Sequence, residues 1–292
     1  MLNVEMRKHV VITLAAFMLM AVLVSNPACA YIWVDDGYPS PGQEQAKLGI
    51  SGCVFYDSNV NGERDAGEPL LSGIVVELLV GEDRATWTST RSTYSFYNVW
   101  GEYTVKVVLA ENWASTTPQA VTLTVKQGET AIIDFGVVSI GCYGGGHTVG
   151  FWSSKNGEDA IERIPDGIYV LKGYNLRTKD GDWFEPTSYS ELRSWLLNGD
   201  AVNMAYMLST KLAAMVLNVE AGFVNPNAKI YAPGVDPETD FPTINYLIGA
   251  ANYWLGLDGY TPSGDPNRAY QELLSRALDA ANNNLNFVCQ SP

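Results

Sequence analysis

Histidine is nearly absent from this chain: of 292 residues only His9 and His147 carry an imidazole. Beyond the first thirty residues that leaves His147 alone, with neither a G-x-S-x-G elbow nor a matched Cys–His context to make it part of a nucleophilic site. Basic residues are also scarce, 18 Lys and Arg against 32 Asp and Glu for a net charge of −14. Nucleic-acid affinity rests mainly on Lys and Arg neutralising phosphates, so this balance argues against a nucleic-acid partner. Gly144-Gly-Gly146 lacks the lysine of a phosphate loop. No Asn-x-Ser/Thr sequon occurs. The one long apolar run, Val10–Val24, is 15 residues, short of the roughly 20 that span a bilayer.

That run sits between a basic start (Arg7, Lys8, His9) and a small-x-small ending at Ala28-Cys29-Ala30. The order describes an export signal with cleavage after Ala30, followed by a linker over residues 31–47. Asn26 stands where lipoprotein cleavage before Cys29 would want an aliphatic residue. The expected location is secreted or at the cell surface, with no membrane span after cleavage. Cleavage leaves Cys53, Cys142 and Cys289, an odd number in an oxidising compartment. Cys142 and Cys289 bracket the second half of the chain and are the expected disulfide. Cys53, in the middle of an apolar strand pattern, reads as a small buried hydrophobe. A zinc site at Cys142, His147 and Cys289 is the sharper alternative, but it lacks a fourth ligand.

The most specific segment is Asp57–Glu68, D-S-N-V-N-G-E-R-D-A-G-E. Asp57, Asn59 and Asn61 fill positions one, three and five of a twelve-residue calcium loop. Gly62 supplies the turn at six, Asp65 sits at nine and Glu68 at twelve. A hard divalent cation needs six to eight oxygens, and a chain surrounds it only by doubling back tightly, which explains the alternation and the glycine. The plain alternative is an acidic turn, because Asn, Asp and Gly dominate ordinary turns too. The flanks, Leu48–Tyr56 and Ile74–Val80, are β-branched and aromatic, so the loop is expected to join two strands rather than two helices.

From 48 to 139 the chain alternates strand patterns with turns, and seven strands are predicted near 48–56, 73–80, 84–90, 93–98, 101–109, 120–126 and 130–138. Tyr103, Val105 and Val107 alternate with Thr104 and Lys106, the period of a half-buried strand. Seven short strands in about ninety residues favour a β-sandwich.

Ile50–Asp57 with the loop, Gly67–Leu78, Tyr94-Ser-Phe96, Gly101–Val105 and Asp134-Phe-Gly136 together resemble the B-type repeat of serine-aspartate-repeat surface proteins, the collagen-adhesin B kind. The resemblance implies a Greek-key sandwich with calcium stiffening one end. It also implies the ligands Asp57, Asn59, Asn61, Asp65 and Glu68, with the Glu63 carbonyl at position seven. Some relatives lock the sandwich with a Lys–Asn/Asp isopeptide bond catalysed by a Glu. Here Glu77 and Asp134 occupy plausible strands, but Gly52 takes the lysine position, and without the amine no bond forms. Ser92-Thr93 departs from the acidic-glycine turn usual in relatives.

After the glycine-rich segment Ile140–His147, read as a hinge or linker, the apolar period changes to about 3.6. Helices are predicted at 190–198, 200–219 and 243–255. A fourth is predicted from Asp265 as N-cap with Pro266 in its first turn, and a small hairpin around Lys179–Asp182. Residues 140–292 are thus expected to be a mainly helical domain. Their opening, Thr148-Val-Gly-Phe-Trp152, is similar to the Gly-Tyr-Trp motif of helical modules in secreted proteins, which implies a location without a chemistry. Glu158, Asp159 and Glu162 invite a glycosidase-like reading, but a solvated helix face explains them better. Trp183, Phe184, Trp195, Trp254 and Tyr260 form either a sugar-stacking surface or, more simply, core.

The expectation is therefore a secreted, non-enzymatic protein of the cell surface or extracellular matrix, with a calcium-stiffened stalk and a helical recognition or assembly domain. Its partner would be an extracellular protein or glycan, or another copy of itself. A secreted carbohydrate-active hydrolase or its accessory, and a self-assembling coat or fibre subunit, are the alternatives.

Overall fold

A computed structural model of the chain describes residues 48–291. The expected signal peptide at 1–30 and linker at 31–47 lie outside the described residues. From Leu48 to Ser139 the chain makes nine strands in two sheets: β1 (Leu48–Tyr56), β2 (Val75–Val80), β3 (Asp83–Ser89), β4 (Thr93–Tyr97), β5 (Gly101–Val108), β6 (Trp113–Ser115), β7 (Ala120–Val125), β8 (Ala131–Ile132) and β9 (Phe135–Ser139). One sheet runs β4-β1-β9-β6 with β8 beside β1, and the other runs β3-β2-β5-β7. Ile50, Val54, Val76, Leu78, Phe96, Val105, Val107 and Phe135 share one buried core. The period-two residues of β5 behave as expected: Val105 and Val107 are fully buried.

The strand count departs from the predicted seven for two physical reasons. β6 is three residues with no alternation to reveal it. The last predicted strand splits at Ile133–Asp134 into β8 and β9, both parallel to β1, where the two segments press very close. A Cβ at Gly52 would land on the Ile133 carbonyl, which accepts a hydrogen bond from the Tyr94 hydroxyl at 2.6 Å. Asp134 then substitutes for a backbone partner, its Oδ1 accepting from the Cys53 amide at 2.8 Å. Burial raises the Asp134 pKa, against a smaller lowering by that hydrogen bond. The isopeptide-lysine position is thus one where no side chain fits. Glu77 lies on β2 in the other sheet, paired with Arg84.

Residues 140–291 are helical: α1 (Val149–Trp152), α2 (Lys155–Ile161), a 3-10 turn (Gly167–Gly173), α3 (Tyr189–Leu197), α4 (Met204–Glu220), α5 (Ile244–Leu257) and α6 (Arg268–Asn282). α4 is buried almost all round, including Leu208, Leu212, Met215 and Val216, as a central helix must be. It begins at Met204 rather than 200 because Asn203 Oδ1 accepts from the amides of Ala205 and Thr261. α6 begins after Asn267 rather than at an Asp265 cap. Asp265 instead closes a turn, accepting from the Asn267 amide at 2.8 Å.

The glycine segment is a packed strap and not a hinge. A Cβ at Gly144 would enter the Phe287 ring, at Gly145 (φ +87) the Phe223 carbonyl, and at Gly146 the Ala281 carbonyl. Asn284 Oδ1 accepts from the amides of Gly144 and Gly146, each at 2.9 Å. Next to it, Asn218 of α4 accepts from the His147 amide at 3.0 Å and the Trp152 indole at 3.2 Å. Trp152 is fully buried. The β-strands and helices therefore belong to one packed unit.

The strap predicts a contrast between two glycine substitutions. Gly145→Ala should cost more than about 2 kcal/mol, since it combines a left-handed backbone with a steric collision. Gly249→Ala, inside α5 with open space around it, should be neutral or stabilise by about 0.5–1 kcal/mol. Denaturant melts of the two variants check the pair.

Candidate functional site

The loop Asp57–Glu68 joins β1 to the turn before β2, as its flanks predict. Its neck is closed by the Tyr56 amide donating to the Pro69 carbonyl at 2.9 Å and the Leu71 amide to Val54 at 2.8 Å. The first and last acids are buried, Asp57 at 0% exposure and Glu68 at 7%. Asn59, Asn61, Glu63 and Asp65 are exposed.

Each buried carboxylate organises one part of the turn. Asp57 Oδ2 accepts from the Gly62 amide at 2.7 Å and Oδ1 from the Asn61 amide at 3.1 Å. Glu68 Oε1 accepts from the Ser58 amide at 2.9 Å, and Oε2 from the Asp65 amide at 3.0 Å. Asp65 Oδ2 in turn accepts from the side-chain amides of Asn59 at 2.6 Å and Asn61 at 2.9 Å. Asn61 Oδ1 accepts from the Glu63 amide at 2.8 Å.

The structure thus brings Asn59, Asn61 and Asp65 into contact, and hangs the turn on Asp57 and Glu68. Among the described residues no three His, Cys, Asp or Glu side chains are grouped so as to hold a metal by themselves. Asparagine and carbonyl oxygens would have to complete any shell. The donor set is all oxygen and suits a hard cation in kind. Among the described residues, no Lys or Arg forms an ion pair with Asp57 or Glu68.

Two features of the loop have no signal in the local sequence. Val60 has φ +59, a left-handed backbone that for a β-branched residue costs on the order of 1–3 kcal/mol. The Asn59 carbonyl accepts from Lys229 Nζ at 2.7 Å, across 170 residues of sequence.

The cysteines give one agreement and two corrections. Cys142 and Cys289 form the expected disulfide. Their sulfurs are therefore bonded to each other and are not zinc thiolates, and the zinc alternative falls. Cys53 is buried, but it is itself disulfide-bonded, which corrects its reading as a small hydrophobe with a lone thiol. His147 stacks on Phe151 at 4.1 Å and meets Phe223 edge-on at 4.7 Å. Burial among these rings lowers its pKa.

The remaining candidates divide. Lys155 bridges the half-buried Glu158 at 3.1 Å and Asp159 at 3.0 Å along one helix face, so those acids are tied to a lysine rather than to each other. Phe184 and Trp195 stack at 4.3 Å in the core, and Trp254 packs on Tyr270 at 4.8 Å. Trp183 and Tyr260 are exposed. The Arg177 guanidinium lies 3.5 Å from the Trp183 ring centre.

Two measurements follow from these side chains. Replacing both Cys142 and Cys289 by Ser should lower stability by about 2–5 kcal/mol, read as a shift in the denaturant midpoint. For His147 the folded pKa lies below the unfolded one, so neutral His147 supports the fold above the unfolded pKa near 6.5. That contribution is lost as pH falls through the folded value. A His147→Phe variant should show a shallower loss of stability than the parent chain as pH falls below about 6.5.

Comparison with known proteins places the β-strand region. A likeness to the crystal structure of GBS52, the minor pilin of the Gram-positive pathogen Streptococcus agalactiae, is slight. It has 13% identity and a TM-score of 0.22, over 30% of this chain and 44% of the pilin. The chain thus spans under half of that protein, and so low a score carries no argument. No curated protein matches the chain. Residues 48–131, from β1 through the start of β8 and including the whole loop, match the SdrD B-like domain family.

Proposed function

We propose that this chain is an exported, non-enzymatic protein of the cell surface or extracellular matrix. In this reading the β-region is a Greek-key sandwich stiffened by calcium in the loop 57–68. The helical region carries recognition of an extracellular protein or glycan, or self-association. The observation that supports it most is the twelve-residue acidic loop set between β1 and β2 in a region that matches the SdrD B-like family.

Asp57, Asn59, Asn61, Asp65 and Glu68 would offer side-chain oxygens, and Glu63 its carbonyl. Asn59 and Asn61 now turn amide nitrogens toward Asp65, so both amides must turn over to present oxygen. The buried charges of Asp57 and Glu68 are what a bound cation would balance, since burying uncompensated carboxylates is costly. Calcium supplies that compensation when bound and crosslinks the two ends of the loop. The Lys155-bridged acids of α2 speak against the hydrolase alternative. Among the described residues no helix is long and apolar enough to cross a membrane.

The test is thermal unfolding with calcium or chelator. A hundredfold excess of calcium over Kd should add about 2.7 kcal/mol of stability. Asp57→Ala and Glu68→Ala should each remove the calcium dependence, whatever they do to the baseline. A melting temperature indifferent to calcium in the parent chain rejects the reading.

A further inference from the structure

The loop carries an unfavourable backbone, and part of what supports it comes from the other half of the molecule. Val60 packs against a buried cluster made of Tyr56, Ala114 and Val138 from the strands with Phe241 and Val288 from the helical region. One residue earlier, the Asn59 carbonyl is held by Lys229. Lys229 is itself fixed: its carbonyl accepts from the Val288 amide at 3.0 Å, and it forms a β-bridge with Thr243. Residues 286–289 then tie back to the strands. The Cys289 amide donates to the Ser139 carbonyl at 3.0 Å. The Tyr56 hydroxyl, at the mouth of the loop, donates to the Cys289 carbonyl at 2.8 Å.

A valine adopts a left-handed backbone only where its surroundings over-determine it. Here the surroundings include part of a hydrophobic seat, Phe241 and Val288, and a cationic hydrogen bond from Lys229, all far along the chain. We propose that the helical region is the positioning element of the loop, with Phe241 and Lys229 as positioning residues. Phe241 helps to seat Val60, and Lys229 fixes the Asn59 carbonyl. The loop's cation affinity and the junction between the two halves then form one coupled equilibrium. A cation that favours the ordered loop tightens the junction, and loosening the junction weakens the cation by the same factor. The cation part rests on the calcium reading above. The positioning part does not.

Hydrogen exchange on the full exported chain, in chelator, tests positioning without any metal. The amides of Val60, Asn61 and Gly62, which donate to the Asp57 carbonyl and carboxylate, should lose about tenfold protection or more in Phe241→Ala and in Lys229→Met. Amides of β5 should keep theirs. Lys229 is half-exposed, so its variant guards against a Phe241→Ala protein that fails to fold. Unchanged protection at residues 60–62 in both variants overturns the proposal.

Calcium titration then tests coupling. Phe241→Ala should weaken the calcium Kd by about fivefold or more. Lys229→Met also removes a repelling charge, so only its exchange is diagnostic. In a Val60→Gly background the left-handed backbone needs no seat, and Phe241→Ala should change Kd by less than about twofold. A parent chain that binds no calcium but loses loop protection in the variants leaves positioning supported and rejects the calcium reading. Tight calcium binding with Kd unmoved by Phe241→Ala overturns the coupling and leaves the calcium reading standing.

Discussion

The short ribbon Asn286–Cys289 is the constraint on which both halves of the molecule depend. It runs between two other pieces of chain, bridging Ile140 through Val288 and Ile230 through Phe287. Its buried backbone groups find partners on both sides, as interior peptide groups must. The Tyr231 amide donates to the Asn286 carbonyl at 2.8 Å, and the Gly141 amide to the Phe287 carbonyl at 2.9 Å. The disulfide to Cys142 fixes one end of the ribbon. Phe287 belongs to the helical core and Val288 to the cluster shared with the strands. Removing this ribbon would leave polar groups unpaired and two apolar surfaces open at once.

In the loop at the end of β1 a negatively charged turn is held in part by its own acids. Asp57 and Glu68 are both buried and both accept from backbone amides. Charge-assisted hydrogen bonds of this kind are stronger than neutral ones. They fix the turn's backbone, while the exposed side chains of Asn59, Asn61 and Asp65 bond to one another and to nearby amides. The division separates a rigid frame from adjustable donors. A frame of that sort reduces the ordering that any ligand of the exposed side must bring about.

Much of this was legible because it is local. The loop's ligand spacing, the strands on either side of it and the alternation in β5 are written within a dozen residues. The apolar positions of α4 revealed a helix, though not its start. That is decided by Asn203 capping together with Thr261 from another part of the chain. Cysteine spacing sufficed for Cys142–Cys289. A mid-strand Cys53 looks the same whether bonded or not, and its pairing was missed. The glycine run misled because freedom to bend and the need for close packing select the same residue. Val60 and Lys229 had no signal at all: valine is a poor choice for a left-handed turn, and a contact across 170 residues leaves no periodicity.

The position of the ribbon in the chain has a consequence for biogenesis. Every other described element precedes residues 286–289, so the strands and helices emerge from the ribosome, and from any export channel, before the piece that joins them. Domains made first tend to fold first. The sandwich would then stand for a time with Tyr56 lacking its acceptor on Cys289 and Val60 lacking Val288. A chain cut just before residue 286 would have most of both cores but an open seam between them.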